Sequence, residues 1–189
     1  MTTEQHPLTP FLPIGAQILM LGSFPPKRER WSMEFFYPNW QNDMWRIMGL
    51  IFYGDKHYFE IAGEKRFDCP RIQQFCTERG IALYDAACEV RRLRDNASDK
   101  FLDVVQATDV EALLEQLPAC RAIVTTGQKA TDVIVERFAC PEPSVGASVK
   151  VSVLGREIDF WRMPSSSRAY PLSVERKAEV YRALFGGLL

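Results

Sequence analysis

Apolar positions along this chain fall into two patterns: short solid runs, and longer stretches with helical spacing. The run at 17–21 leads straight into Gly22-Ser23 and predicts a buried strand. Met44, Trp45, Met48 and Phe52 recur at helical spacing and predict a helix over 42–52, with Asn42 able to cap it and Asp43 at its positive end. The same reading predicts helices over 71–79 (stopped by Gly80), 110–117 (ended before Pro118), 129–138 and 173–185 (opened by Ser173). It predicts strands over 81–84, 122–125, 149–154 and 157–163, the last two paired through a Gly155-Arg156 turn. Residues 99–105 read as a helical turn, and 141–148 and 164–171 as loops. Neither repeats nor low-complexity tracts interrupt the pattern.

Strands and helices alternate, so the expected class is α/β with a mostly parallel central sheet. Ligands of such sheets bind beyond the carboxyl ends of the strands. That rule brings Gly22-Ser23, Tyr84-Asp85, Thr126-Gly127 and Pro164-Ser165 to one end of the sheet, around one crevice.

Length and composition narrow the picture. The 189 residues read as one domain over 1–189, with 1–13 a flexible N-terminal arm, and 47% hydrophobic with 25% charged residues is ordinary for a soluble globular protein. No apolar run reaches the roughly 18 residues of a membrane helix. The polar first ten residues lack a signal-peptide core, so a cytoplasmic monomer without membrane contact is expected. The five cysteines include no CxxC pair and read as buried free thiols. The two histidines, His6 and His57, are far apart, and His6 falls in the arm. Neither a metal site nor a Ser-His-Asp triad is expected, and no cofactor. Net charge is −1, but basic residues cluster at Lys27-Arg28-Glu29-Arg30, Arg91-Arg92-Leu93-Arg94, Arg162 and Arg168. These are either solvated loops or, gathered on one rim, a phosphate-facing patch.

The densest chemistry lies at Leu19-Met20-Leu21-Gly22-Ser23-Phe24-Pro25-Pro26 and at Phe35-Phe36-Tyr37-Pro38-Asn39-Trp40-Gln41-Asn42-Asp43-Met44-Trp45. Rings to stack on and fixed amides are what a flat heterocycle needs. Gly22 allows a tight turn and a close approach, and the backbone of Ser23 and Phe24 can face a base carbonyl. Phe24, Phe35, Phe36 and Tyr37 are candidate stacking rings or plain core. Asn39 and Asn42 are the nearest polar groups. Asp85 can accept from a base N–H or serve as a turn residue. Ser165-Ser166-Ser167 after Pro164 can donate to a phosphate; a serine nucleophile there has neither a G-x-S-x-G elbow nor a nearby histidine.

Taken in order, these segments resemble the uracil-DNA glycosylase superfamily, and among its branches the hypoxanthine/mismatch type. Leu21-Gly22-Ser23-Phe24-Pro25 is similar to the Gly-Ser-hydrophobe-Pro turn, and Tyr37-Pro38 leading to Asn42-Asp43-Met44-Trp45 to the aromatic–proline–Asn–x–aromatic–Trp segment. Gly80 to Asp85 resembles the base-reading strand, and Ser98-Asp99 a Ser-Asp of the following loop. Thr126-Gly127-Gln128-Lys129-Ala130 resembles a strand-to-helix turn, and Met163-Pro164-Ser165-Ser166-Ser167 the loop that grips DNA. There are departures. Tyr37 stands where the family usually has histidine, and extra residues within Asn39-Trp40-Gln41 leave Asn39 a rival to Asn42. Met163 and Arg168 replace a histidine of the uracil-specific branch and a proline of this one.

The resemblance implies a three-layer α/β sandwich and a monofunctional DNA glycosylase without cofactor, acting on uracil or hypoxanthine in DNA. Asn42, or Asn39, positions the water and Ser23 assists. Gly22, Ser23, Phe24, Phe36, Tyr37 and Asp85 hold the base. Pro164, Ser165, Ser166, Ser167, Arg168 and Arg162 hold the DNA. Two rivals use the same residues: a non-catalytic binder of single-stranded DNA or nucleotides, and a nucleoside or ester hydrolase working through a serine.

Overall fold

Three solid apolar runs set the frame. In the computed structural model, which describes residues 2–93 and 99–186, strands β2 (Ile18–Gly22), β3 (Ile81–Asp85) and β6 (Ala122–Thr126) are buried at every position. Strands covered on both faces show such uninterrupted apolarity. With β7 (Ala147–Val153) and β8 (Arg156–Met163) they form a five-stranded sheet in the order β3-β2-β6-β8-β7. The β3–β2, β2–β6 and β6–β8 pairs are parallel, and β7 runs antiparallel to β8. The turn between β7 and β8 is Leu154-Gly155, both at positive φ (52° and 69°), one residue earlier than the sequence suggested. So short a connection permits only an antiparallel pair.

A second sheet escaped the sequence reading. β1 (Thr3–Gln5), β4 (Ala87–Arg92) and β5 (Leu102–Ala107) pair antiparallel in the order β1-β4-β5. The sheet architecture is therefore mixed rather than mostly parallel. Within 99–105, only Asp99–Phe101 makes a single 3-10 turn before β5 begins. The expected N-terminal arm is tied down as well. β1 lies on β4, and Phe11 exchanges backbone hydrogen bonds of 3.0 and 2.9 Å with Leu83, covering the outer edge of β3. That edge would otherwise present unpaired amides.

The helices are α1 (Met44–Tyr53), α2 (Cys69–Glu78), α3 (Val110–Glu115), α4 (Gln128–Phe138) and α5 (Val174–Gly186). α2 starts two residues before the expected point because Asp68 caps it, accepting from the Arg71 N–H at 3.1 Å, with Pro70 in the first turn. α1 packs against α5, α2 against β3 and α4 against β6. Among the described residues no helix is long and apolar enough to cross a membrane. All five cysteines are free thiols; Cys76 and Cys120 are buried, whereas Cys69, Cys88 and Cys140 are only partly so, short of the expected full burial.

Two registers position the site. Gly22 pairs with Asp85, and Thr126 with Met163, at the carboxyl ends of the four parallel strands. The loops leaving those ends all emerge on one side. Trp45 anchors the longest of them: its buried indole donates to the Phe36 carbonyl at 3.1 Å, holding the 35–38 segment against α1.

Candidate functional site

Those loops enclose a cleft of about 840 Å3. Gly22, Ser23, Phe24, Phe36, Tyr37, Asn39, Asn42, Asp85, Arg162, Pro164, Ser165, Ser166, Ser167 and Arg168 line it, whereas the candidate ring Phe35 does not and is buried in the core. Their individual placements differ in what they permit.

The inner wall is built around Gly22. A Cβ there would collide with Asp85 Oδ1 and touch Tyr37 at 3.5 Å, so glycine is needed for the carboxylate to lie over the strand end. Tyr37 adopts a left-handed conformation (φ 52°), rare for a side chain of this size. Its hydroxyl shares a 2.8 Å hydrogen bond with Thr126 Oγ1, and burial, reinforced by nearby Asp85, holds the phenol far above its ordinary pKa. It is a neutral hydrogen-bonding group. Ser23 is buried and its hydroxyl donates to Asp99, whose carboxyl is raised chiefly by burial. The rings of Phe24 and Phe36 are almost fully buried. Phe24 belongs to a small core with Ala87, Val90 and Leu102, and Phe36 packs on Phe35 and Tyr84. Both contribute to the wall while doing core work.

A second wall carries the two asparagines. Asn39 closes a turn, its Oδ1 accepting from the Gln41 N–H at 3.0 Å and its carbonyl from the Asn42 N–H at 2.8 Å. The N-cap position of α1 is Asp43 rather than Asn42; Asn42 lies one residue ahead of it, and its Oδ1 accepts from the Met44 N–H at 3.0 Å. A carbonyl oxygen has two lone pairs, so this bond fixes the amide while leaving acceptor capacity for a water.

The serine loop forms the third wall and is sewn to the second. Asp43 N–H donates to the Ser166 carbonyl (2.8 Å), and Arg168 N–H to the Gln41 carbonyl (3.1 Å), making an antiparallel bridge between Asn42 and Ser167. Ser165 Oγ accepts from the Ser167 N–H at 3.2 Å, Tyr181 donates to the Pro164 carbonyl at 2.7 Å, and Lys177 Nζ to the Ser167 carbonyl at 2.7 Å. Ser166 is 2% exposed, so only Ser165 and Ser167 present hydroxyls toward the opening. Beside them Gly127 (φ 114°) starts α4 with its Cα against Ser165, a conformation open only to glycine.

Charge is arranged in two tiers. Buried Asp43 faces Arg46 and Arg168 at 3.3 Å and Lys177 at 3.7 Å. Lys177 is wholly buried, and that burial lowers its pKa against the opposing pull of Asp43. Arg30, Lys100, Lys129 and the half-exposed Arg168 stand around the cleft. Arg162 is engaged by the Pro143 carbonyl, Gln128 and Glu142, and Arg92 by Glu4 and the Pro25 carbonyl. Of the motif residues named from sequence, Arg94 and Ser98 lie outside the described residues.

The largest surprise is His6. Its side chain is 2% exposed and places Nε2 2.8 Å from Asp85 Oδ2. Nothing local marks it, since its partner lies across the fold. Lys177 was equally silent in sequence, standing at one polar position of an amphipathic helix.

No protein-family model and no curated protein matches the chain. Among solved structures, a solution NMR structure from Methanosarcina acetivorans, named as a provisional uracil DNA glycosylase, superposes with a TM-score of 0.64 at 20% identity. It covers 97% of this chain and 99% of its own. The likeness shows a shared fold.

Proposed function

We propose that this protein is a DNA glycosylase that hydrolyses the N-glycosidic bond of a deaminated base, uracil or hypoxanthine, in DNA. One observation carries the reading: Asn42 and the serine loop are joined by a backbone bridge within the same cleft as Gly22, Tyr37 and Asp85. On this reading the residues for water, phosphate and base share one cleft. The fold shared with the archaeal structure supports it.

The target base leaves the stack and enters the cleft. The C1′–N bond breaks with its electron pair going to the base. The sugar becomes oxocarbenium-like, and a water held by Asn42 Oδ1 adds to C1′. The water's hydrogen and its O–H end on the base and on C1′ respectively, giving free base and an abasic site. An amide is no base, but so electrophilic a carbon needs little basic help. The backbone amides of Ser23 and Phe24 follow the last paired residue of β2 and face the developing negative charge on the base oxygen, an interaction typically worth several kcal/mol. Ser165, Ser167 and Arg168 hold the flanking phosphates, with Arg30, Lys100 and Lys129 supplying longer-range attraction.

The test is abasic-site formation in oligonucleotides carrying uracil, hypoxanthine or xanthine, single-stranded and mispaired. Asn42→Ala removes both the acceptor for the Met44 N–H and the water ligand, and Asn42→Asp retains an acceptor. Turnover is expected to fall at least about 100-fold in Asn42→Ala, in the range usual for loss of a positioned catalytic group. Wild-type turnover in both variants, or loss on Asn39→Ala alone, removes Asn42 from the mechanism.

A further inference from the structure

We infer that His6 is a positioning residue for Asp85, and that the pair makes the cleft select a base edge with a ring N–H beside a carbonyl. The inference rests on the glycosylase reading and gives its base site a specificity element.

The placement of His6 is unusual for its address. It directly follows β1, whose Thr3 and Gln5 are exposed, yet its ring is shut inside the protein. The ring packs edge-on against Phe24 at 5.2 Å and lies 4.5 Å from the Tyr84 ring, and its backbone N–H donates to the Cys88 carbonyl at 2.8 Å. β1 itself buries no apolar side chain. Its pairing with β4 serves to deliver this one imidazole to the end of β3.

The location of the proton follows from the neighbours. Nδ1 lies 3.1 Å from the Leu8 nitrogen and 3.0 Å from the Leu8 oxygen. If Nδ1 accepts from the Leu8 N–H, the single proton of a neutral ring sits on Nε2. If Nδ1 donates to the Leu8 carbonyl, a ring protonated there alone would set a lone pair against a carboxylate oxygen 2.8 Å away. Both arrangements call for Nε2–H donating to Asp85 Oδ2.

That bond fixes the carboxylate plane. The Thr108 hydroxyl holds the Asp85 carbonyl at 2.6 Å, and the Ala86 N–H holds the Gly22 carbonyl at 2.7 Å, so the backbone beneath is fixed too. With Oδ2 occupied by His6, Oδ1 stands over Gly22 at the cleft wall. An ionised carboxylate only accepts hydrogen bonds. A lactam or imide edge, such as that of hypoxanthine or uracil, brings the donor it needs. Adenine and cytosine bring a ring lone pair and leave Asp85 unsatisfied.

The experiment pairs variants that differ in one property. His6→Phe keeps ring packing and loses the donor. His6→Asn is too short to reach Oδ2, whereas His6→Gln reaches it with an amide N–H. Each is assayed for kcat and KM on oligonucleotides containing uracil or its N3-methyl analogue, and hypoxanthine or its N1-methyl analogue, alongside a thermal melt. A hydrogen bond to a charged group corresponds to roughly a 10- to 100-fold effect. His6→Phe and His6→Asn are expected to lose about that factor in kcat/KM on the N–H bases, with the preference over the methylated bases falling in parallel and His6→Gln recovering both. Equal losses on N–H and N-methyl bases, or no recovery by His6→Gln, make His6 a packing residue and overturn the inference. Unchanged kinetics in an active protein overturn it alone. A wild-type protein that releases none of these bases overturns the glycosylase reading, and the inference with it.

Discussion

Replacing Asp43 by Asn tests whether one carboxylate holds the serine loop in place. The substitution is nearly isosteric and removes only charge. Arg46 keeps Glu60 at 2.6 Å and the Trp40 carbonyl at 2.9 Å, and Arg168 is half in solvent. Lys177 has no comparable refuge: it is wholly buried and its other bond is to the Ser167 carbonyl. At 3.7 Å and an effective dielectric constant near 20, its attraction to Asp43 is about 4 kcal/mol. Breaking buried pairs of this kind costs about 3–5 kcal/mol. Asn retains a hydrogen-bond acceptor, so the lower figure of about 3 kcal/mol applies, and in a protein of this size it corresponds to a fall in Tm of roughly 6–12 °C. The sign with pH follows from linkage. Burial already lowers the Lys177 pKa, and losing Asp43 lowers it further, so the unfolded chain binds more protons than the folded one. Asp43→Asn is therefore least damaging near pH 10, where the unfolded lysine also begins to lose its proton, and more damaging toward neutrality. Calorimetric melts at pH 7 and 9.5 read both effects. The double variant Asp43→Asn/Lys177→Met removes the orphaned charge and should regain part of the loss. A Tm change below 2 °C at pH 7, or a double variant no better than the single one, would refute the reasoning.

Gly22→Ala drives a methyl group into Asp85 Oδ1 and against Tyr37, so the melt should drop and any base turnover should fall with it; a variant with wild-type Tm and turnover shows that the strand end yields freely. Arg168→Ala removes a half-exposed cation beside the serine loop, and DNA affinity measured by anisotropy over a salt series should weaken with a slope shallower by about 1. An unchanged slope takes Arg168 out of the interface.

The parts of this fold legible from sequence are those written in local pattern. β2, β3 and β6 announce themselves because burial on both faces demands solid apolar runs. α1 does so because Met44, Trp45 and Met48 share a buried stripe, although its N-cap falls at Asp43, one residue after Asn42. The convergence of Gly22, Asp85, Thr126 and Pro164 followed from parallel pairing alone. The second sheet was hidden because its strands lack that signature. Thr3-Glu4-Gln5 has no apolar residue, and β4 carries register shifts between Ala87 and Val90 that blur its alternation. Without β1 there was no reason to move His6 out of a tail. Its meaning resides in a contact 79 residues distant, which no window of sequence spans. The partners of Arg162 at the cleft were unreadable for the same reason: Gln128 and Glu142 come from other parts of the chain.

The bridge between Asn42 and Ser167 acts as a ruler. In any nucleotide the phosphate and the anomeric carbon are separated by a fixed set of covalent bonds. A protein that must address both at once can rely on two loops closing separately, with each closure adding its own error. Here the residue proposed to hold water and a serine of the loop proposed to hold phosphate face each other across one isolated antiparallel bridge, whose spacing is that of paired backbones. On the proposed reading, sliding the nucleic acid by one nucleotide would withdraw phosphate grip and water alignment together, so a misplaced base would meet a site wrong in both respects.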